Sequence, residues 1–279
     1  MRDIEDFITG ESRYFEPMLM RATQSTAAQR EQWRTETIRE RQERISLEVF
    51  EQLEGHVKYG PFTGMKLDRN TWWGKLDLAS QCLGLYEKEI LDIVGEINPD
   101  QYSRFIDIGA ADGYYAIGML LSGKFNKTSC FEITEKGREV IAKNWQNNGS
   151  PGELRIFGEA TEKSLAALPA EQRYNAFVLV DIEGFEFELL SEKTLSLLQS
   201  CTVIIEIHHW VDDFLPRYTR LLRTASQFFD LELLKPVERA TLHLAELRDL
   251  TDDNRLLLTS ERRPGVMRFL KLSPKSPAM

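Results

Sequence analysis

The sequence predicts an α/β protein, built on a doubly wound, mostly parallel sheet with an antiparallel edge and carrying an N-terminal, mainly helical extension. Three observations predict it. From Phe105 onward, five short apolar runs rich in β-formers are each followed by a longer helical pattern, the rhythm of parallel strands joined by crossover helices. The tail then changes: DLELLK, RLLLTSE and VMRFLKL carry no crossover helix between them and read as antiparallel strands added at one edge. Finally, 279 residues with 42% hydrophobic and 28% charged side chains suffice for one large core.

Taken in order, the chain opens with MRDIEDFITG, which has acids where a signal peptide has bases, and no apolar run long enough to span a bilayer follows; a cytoplasmic protein is expected. Residues 22–53 are dense in Gln, Arg and Glu, with Ile38, Ile45, Val49 and Leu53 spaced as on one face of an amphipathic helix. This arm needs a surface to cover, either an acceptor side of the molecule or a second subunit in a homodimer. Residues 56–68, around Gly60-Pro61 and Gly64, suggest a hairpin or irregular ribbon. A helix over 76–97 breaks near Gly84 and stops at Asn98-Pro99. The expected division is an arm and ribbon over 1–75 and the sheet domain over 76–279. The strands then follow as RFIDIG, TSCFEI, ELRIFG, AFVLVDI and TVIIEIH, each with its helix.

Composition excludes several partners. With 35 basic against 44 acidic residues the formal charge is -9, so no global positive field draws the chain to nucleic acid. Cys82, Cys130 and Cys201 are far apart and form no C-x-x-C pair, which fits reduced thiols in a core.

The chemistry-bearing residues fall where the strands end. Asp107-Ile-Gly-Ala-Ala-Asp-Gly-Tyr-Tyr occupies the first strand-to-helix turn, the edge at which open α/β sheets bind ligands. Gly109 and Gly113 permit close backbone approach, and Asp107, Ala110, Asp112 and Tyr115 complete the candidate binding loop. Its spacing is neither G-x-G-x-x-G nor a P-loop, and its acids suit a ligand with a cationic part. Glu132 ends the second strand, 19 residues after Gly113, where a carboxylate can accept from two ribose hydroxyls. Glu159 and Ala160 follow the third strand, where an adenine edge would lie. Asp181 and Glu183 end the fourth strand, Glu206 and His208 the fifth, placed for catalysis. Tyr86 and Glu87 precede the sheet and can approach the same edge; Trp72, Trp73 and Trp210 can wall an acceptor pocket.

In DIGAADGYY (107–115), VDIEGFEFELL (180–190), EIH (206–208) and the closing RP-x-x-M-x-x-L (263–270) the chain resembles class I S-adenosylmethionine-dependent methyltransferases, and among them the FkbM family. The resemblance covers residues 100–272. Where FkbM-like enzymes usually show Asn-x-Gly, this chain has Ala111-Asp112-Gly113, which removes one side-chain contact and leaves the backbone role intact. The resemblance implies a Rossmann-like seven-stranded methyltransferase sheet, S-adenosyl-L-methionine as co-substrate, and methyl transfer to a hydroxyl of a sugar, polyketide or other small metabolite in biosynthesis.

Such a transfer needs an acceptor held in line with the methyl and a base for its proton. His208 is the expected base, with an imidazole titrating near working pH; Asp181 orients the acceptor or the imidazole, and Glu183 is a further catalytic candidate. The less favoured alternative is a divalent metal on Asp181 and His208 with Glu183 or Glu206. No Asn/Asp-Pro-Pro-Tyr/Phe motif follows the fourth strand and no Pro-Cys nucleophile is present, against exocyclic amines on bases and against cytosine C5. A non-catalytic S-adenosylmethionine-binding scaffold, a nitrogen or peptide acceptor, and a nucleotide-dependent oxidoreductase are the competing readings.

Overall fold

The computed structural model describes residues 23–261, 263 and 267–275, with residues 9–10, 12–13, 16–17 and 20 near the start. Most of the opening segment MRDIEDFITG, and residues 264–266 of the closing motif, lie outside the described residues.

Seven strands form one sheet: β1 (Arg104–Ile108), β2 (Lys127–Phe131), β3 (Glu153–Phe157), β4 (Ala176–Val180), β5 (Thr202–Ile207), β6 (Phe229–Leu233) and β7 (Arg268–Pro274). Their order is β3-β2-β1-β4-β5-β7-β6. β1 through β5 pair in parallel, and β7 inserts antiparallel between β5 and β6. This is the seven-stranded sheet with an antiparallel edge that the sequence predicts. Because the chain starts in the middle, winds out to β3 and returns to β4, the strand order reverses between β1 and β4. The crevice outside their carboxyl ends is where such sheets bind ligands.

The central strands are apolar throughout because both of their faces are covered. Phe105, Phe177, Leu179 and Ile204 point into one core, with Tyr114, Met119, Ile90 and Leu91. Ile106, Ile108, Val178, Val180, Val203 and Ile205 point into the other, with Leu195, Leu198 and Leu221. The period of two along each strand sorts its residues between the cores.

Helices α1 (Ala27–Thr35) and α2 (Ile38–Gln52) replace the single arm helix. Each begins with its own capping box, Thr26 with Gln29 and Thr37 with Glu40; the second box stops one helix and starts the next. Ile45 and Val49 are buried as their spacing predicts, but Ile38, at the first turn, is 71% exposed. The α2 face packs on Ala79, Leu83, Leu244, Leu247 and Leu258. Helices α3 (Leu78–Cys82) and α4 (Lys88–Glu96) are the broken helix expected over 76–97.

The ribbon over 56–68 is irregular: one bridge joins His56 to Lys66, and Val57 N–H donates to Met65 O at 2.8 Å. It drives Phe62, 1% exposed, into the core beside Tyr114 and Tyr115 with ring centroids at 5.1 and 5.9 Å. A Cβ at Gly118 would lie 2.5 Å from the Phe62 ring, so glycine lets the ribbon seat on α5 (Tyr114–Leu121), the helix that follows the first loop.

The remaining helices, α6 (Glu135–Asn147), α7 (Glu162–Ala167), α8 (Ala170–Arg173), α9 (Glu186–Leu189), α10 (Glu192–Leu197) and α11 (Phe214–Phe228), follow β2 to β5. One element corrects the sequence reading: RLLLTSE is not a strand, since α12 (Asp252–Leu258) contains its leucines. Thr251 caps that helix, and Asp252 and Asp253 lie in its first turn. A cap and acids at the positive end of the helix outweighed the strand-like apolar run. Among the described residues no helix is long and apolar enough to cross a membrane.

Candidate active site

The turns that follow the two strands at the reversal are in direct backbone contact. Gly109 has φ +98°, and a Cβ built on it would fall 1.6 Å from the Asp181 carbonyl oxygen. Only a residue without a side chain fits. Gly109 N–H and Ala110 N–H both donate to Phe131 O at 3.0 Å, tying this turn to the end of β2.

A cleft of about 590 Å³ opens over these turns, walled by Gly109 and Ala111 after β1, Glu132 after β2, Glu159 and Ala160 after β3, and Asp181 after β4. Its size is that of a drug-sized ligand site. Glu132 is buried, and its carboxylate is already engaged: one oxygen accepts from the Thr134 N–H (2.8 Å) and hydroxyl (2.7 Å), the other from Ala111 N–H (3.1 Å). It therefore fixes the first loop as well as facing the cleft.

The other predicted loop residues stand behind this wall. The Asp112 carboxylate accepts from the backbone N–H groups of Trp72 (2.9 Å) and Trp73 (3.3 Å). This acid thus pins the two tryptophans that line the cleft, a use no short motif reveals because the partners are 40 residues away. Tyr115 donates to Glu87 at 2.8 Å. Gly113 starts α5, and Asp107 is buried at the end of β1. Burial, then the charges of Asp181 and Glu87, push the Asp107 carboxyl well above the usual range.

A second cavity of about 360 Å³ adjoins the cleft, and the two share Trp73, Tyr86, Asp181 and Glu183. It is lined by six carboxylates, Asp77, Glu87, Asp181, Glu183, Glu206 and Glu261, against the guanidiniums of Arg39 and Arg263. Arg39, from α2, brings the arm to this cavity. At its floor His208 is 1% exposed. Its Nδ1 lies 3.1 Å from Glu186 Oε1, and its backbone N–H donates to the same oxygen at 2.9 Å. The other Glu186 oxygen accepts from Gly184 N–H at 2.9 Å. Its Nε2 faces Asp181 Oδ1 (3.4 Å), Glu183 Oε2 (3.7 Å) and Glu206 Oε2 (3.8 Å). Burial disfavours the charged ring, but the Asp181 and Glu186 carboxylates outweigh it and raise the pKa from 6.5 to about 10. The expected titration near neutrality is thus moved upward by the two carboxylates on either side of the ring.

Arg263 spans this floor. It pairs with Glu87 (2.8 Å), Glu261 (2.9 Å) and Glu206. Burial raises the Glu87 carboxyl, and Arg263 pulls it back. Burial, then the Asp181 charge, raises Glu183.

Thus Asp181, Glu183, Glu206 and His208 meet, with Tyr86 and Glu87 beside them, whereas Asp112 and Tyr115 do not reach the cleft wall. Arg263 and Glu186 join this cluster through their contacts with Glu206 and His208, and the sequence reading left both without a role. Glu186 was visible as the last acid of D-x-E-G-x-E, but its place under His208 comes from the left-handed turn at Glu183 and Gly184, which spacing alone does not show.

No family model matches the chain, and no curated protein does. Among solved structures it is similar to an O-methyltransferase from Bacillus cereus in complex with SAH (15% identity, covering 67% of this chain and 80% of that one, TM-score 0.45). It is similar also to a ribosomal protein L11 methylase from Lactobacillus delbrueckii subsp. bulgaricus (14%, 76% and 86%, 0.44). A third is precorrin 8W decarboxylase from Methanobacterium thermoautotrophicum (14%, 68% and 90%, 0.42). Scores this low leave the functional argument to rest on the site itself.

Proposed function

We propose that the chain is an S-adenosylmethionine-dependent methyltransferase acting on a hydroxyl of a small molecule, a sugar, polyketide or other secondary metabolite, as its resemblance to FkbM enzymes implies. The observation that carries this reading is the pair of joined cavities at the strand reversal. One has the glycine cradle at Gly109 and the ribose-reading position Glu132; the other is acidic and holds a buried Asp181 oxygen without a hydrogen-bond partner. Both features fit the reaction: the cradle admits the cofactor's backbone-hugging end, and the acids beyond it suit the proton that the acceptor gives up. Glu132 would hold the ribose, Glu159 and Ala160 the base, and the Asp107 to Gly109 turn the aminoacyl end.

The cofactor supplies a methyl on sulfonium sulfur, an excellent leaving group. As the new O–C bond forms and the S–C bond breaks, its electron pair stays on sulfur and the hydroxyl proton passes to a carboxylate of this chain. Asp181 and Glu183 take that role, because His208 already holds a proton at neutral pH. His208, fixed by Glu186, orients Asp181. The roles expected of His208 and Asp181 are thereby exchanged. Trp73 and Trp210 flank the opening and restrict the acceptor's approach.

Calorimetry against S-adenosylmethionine, S-adenosylhomocysteine and NAD(H) tests the reading. Stoichiometric binding of the first two, without NAD(H), is expected. Binding of NAD(H) alone would return the chain to the oxidoreductases, and binding without turnover on any hydroxyl, amine or peptide acceptor to the scaffold reading.

A further inference from the structure

We infer that Asp181, Glu206 and His208 form a binding site for one divalent transition cation, of the Mn²⁺ or Zn²⁺ kind, in the acceptor cavity. The three residues offer one ligand atom each, all within 4.8 Å of one another; the ion displaces the proton of His208 Nε2 to solvent as it binds, while Nδ1–H stays on Glu186. The separations of His208 Nε2 from Asp181 Oδ1 and Glu206 Oε2, 3.4 and 3.8 Å, exceed an ordinary N–H···O bond of about 2.7 to 3.2 Å. They approach the edges of a coordination polyhedron, since donors each about 2.1 Å from one ion stand about 3.0 to 3.4 Å apart.

Two independent features point to the same occupant. His208, whose side chain is 2% exposed, is held through Nδ1 by the buried Glu186 carboxylate, the arrangement that orients metal-ligating histidines through their other ring nitrogen. Each remaining ligand also has a donor atom free to converge. Glu206 gives one oxygen to Arg263 and turns the other toward His208, and Asp181 Oδ1 is buried without a hydrogen-bond partner. One imidazole and two carboxylates suit Mn²⁺, Fe²⁺ or Zn²⁺ better than Mg²⁺, which favours oxygen and keeps its waters. Positions not taken by the three ligands open to the cavity, where an acceptor oxygen can coordinate and become more acidic. Glu183, with its side chain half exposed at 50%, then takes the proton. The role given to the ion rests on the methyltransferase reading; its binding does not.

The test uses the full chain, stripped with chelator and titrated with MnCl₂ by electron paramagnetic resonance and with ZnCl₂ by calorimetry. One ion per chain is expected. Asp181→Asn and Glu206→Gln should each weaken binding at least about 10-fold, and Glu186→Gln about 10- to 100-fold, with circular dichroism melts verifying that each variant is folded. A folded parent that binds neither ion stoichiometrically overturns the proposal, as does a folded Asp181→Asn or Glu206→Gln protein that binds like the parent. S-Adenosylhomocysteine binding is measured on the same samples. If the ion binds with this mutational pattern and the nucleoside does not, the metal site stands and the methyltransferase reading fails.

Discussion

Replacing Gly109 with alanine tests the point on which fold and site both depend. A Cβ there would lie 1.6 Å from the Asp181 carbonyl oxygen and 3.0 Å from Ile182 Cγ2, on a residue at φ +98°. The left-handed backbone costs an L-residue about 1–2 kcal/mol. Relieving the overlap requires the ends of β1 and β4 to part by more than an ångström, at a further overpacking cost of about 1–3 kcal/mol or more. Together these give about 2–5 kcal/mol. With an unfolding entropy of about 2.1 cal/mol/K per residue, 279 residues convert this to a Tm lower by about 3–9 °C. The same displacement moves Asp181, so S-adenosylhomocysteine affinity should fall with stability. Gly158→Ala is the control: it also follows a strand at the cleft edge, but nothing lies within 4 Å of its built Cβ, and Tm should stay within about 1 °C. Scanning calorimetry and ligand titration read both. A Gly109→Ala protein with parental Tm and parental affinity would refute the close-approach argument.

The other predictions follow from the same geometry. If Glu132 holds the ribose as proposed, Glu132→Ala should weaken S-adenosylhomocysteine binding by about 1–3 kcal/mol, about 5- to 150-fold in a calorimetric Kd; an unchanged Kd removes Glu132 from the site. Asp181→Ala and His208→Ala should each lower turnover on the true acceptor about 100-fold or more with little change in cofactor affinity, and near-parental rates would leave proximity alone to explain catalysis. Phe62→Ala opens the core beneath α5 and should cost about 3–5 kcal/mol in denaturant unfolding; a loss under about 1 kcal/mol would show that the ribbon is not part of that core. For the chelated protein, burial opposes the charged His208 ring, but Asp181 and Glu186 outweigh it and raise the pKa in the fold to about 10 from 6.5, with Glu183 and Glu206 also facing the ring. Its stabilising contribution is therefore complete below about pH 6.5 and is lost as pH rises through about 10. The difference in unfolding free energy between the parent and His208→Asn should shrink over that window, and a flat difference would contradict the assignment.

The sheet was legible because its strands are buried on both faces and write themselves as unbroken apolar runs, such as AFVLV at Ala176–Val180. RLLLTSE misled for a related reason: three leucines in a row carry no period, and the deciding cap at Thr251 lies outside the run. In the site, Gly109, Glu132, Asp181 and His208 follow strand ends, so topology alone brings their positions to one edge. What the sequence did not disclose depends on long-range pairing. Asp112 reads as a cofactor contact until Trp72 and Trp73 arrive from 40 and 39 residues away to take its oxygens. Arg263 gains its place by crossing from beside β7 to Glu206 and Glu87, 57 and 176 residues distant. The pKa of His208 likewise depends on which acids surround it, and the strand spacing that placed it at the cleft carries no information on that.

Under the proposed reading the position of the acids matters more than their number. Carboxylates around the sulfonium itself would stabilise the charged cofactor before reaction and lose that interaction as sulfur becomes neutral, which would raise the barrier. The second cavity is lined by Asp181, Glu183, Glu206, Glu87, Glu261 and Asp77; beyond the shared pair the cleft carries Glu132, Glu159, Glu162 and Glu188, of which Glu162 and Glu188 face Lys193 and Arg217 and Glu132 accepts from Thr134 and Ala111. Transfer moves one unit of positive charge from sulfur to the acceptor's proton. With the acids on the acceptor side, that charge moves toward them, and their fixed field favours the transition state over the bound cofactor. Arg263 keeps this from becoming excessive. By pairing with Glu87, Glu206 and Glu261 at once, it neutralises the deepest carboxylates and leaves Asp181 and Glu183, the two shared by both cavities, as the groups whose charge the reacting atoms would meet.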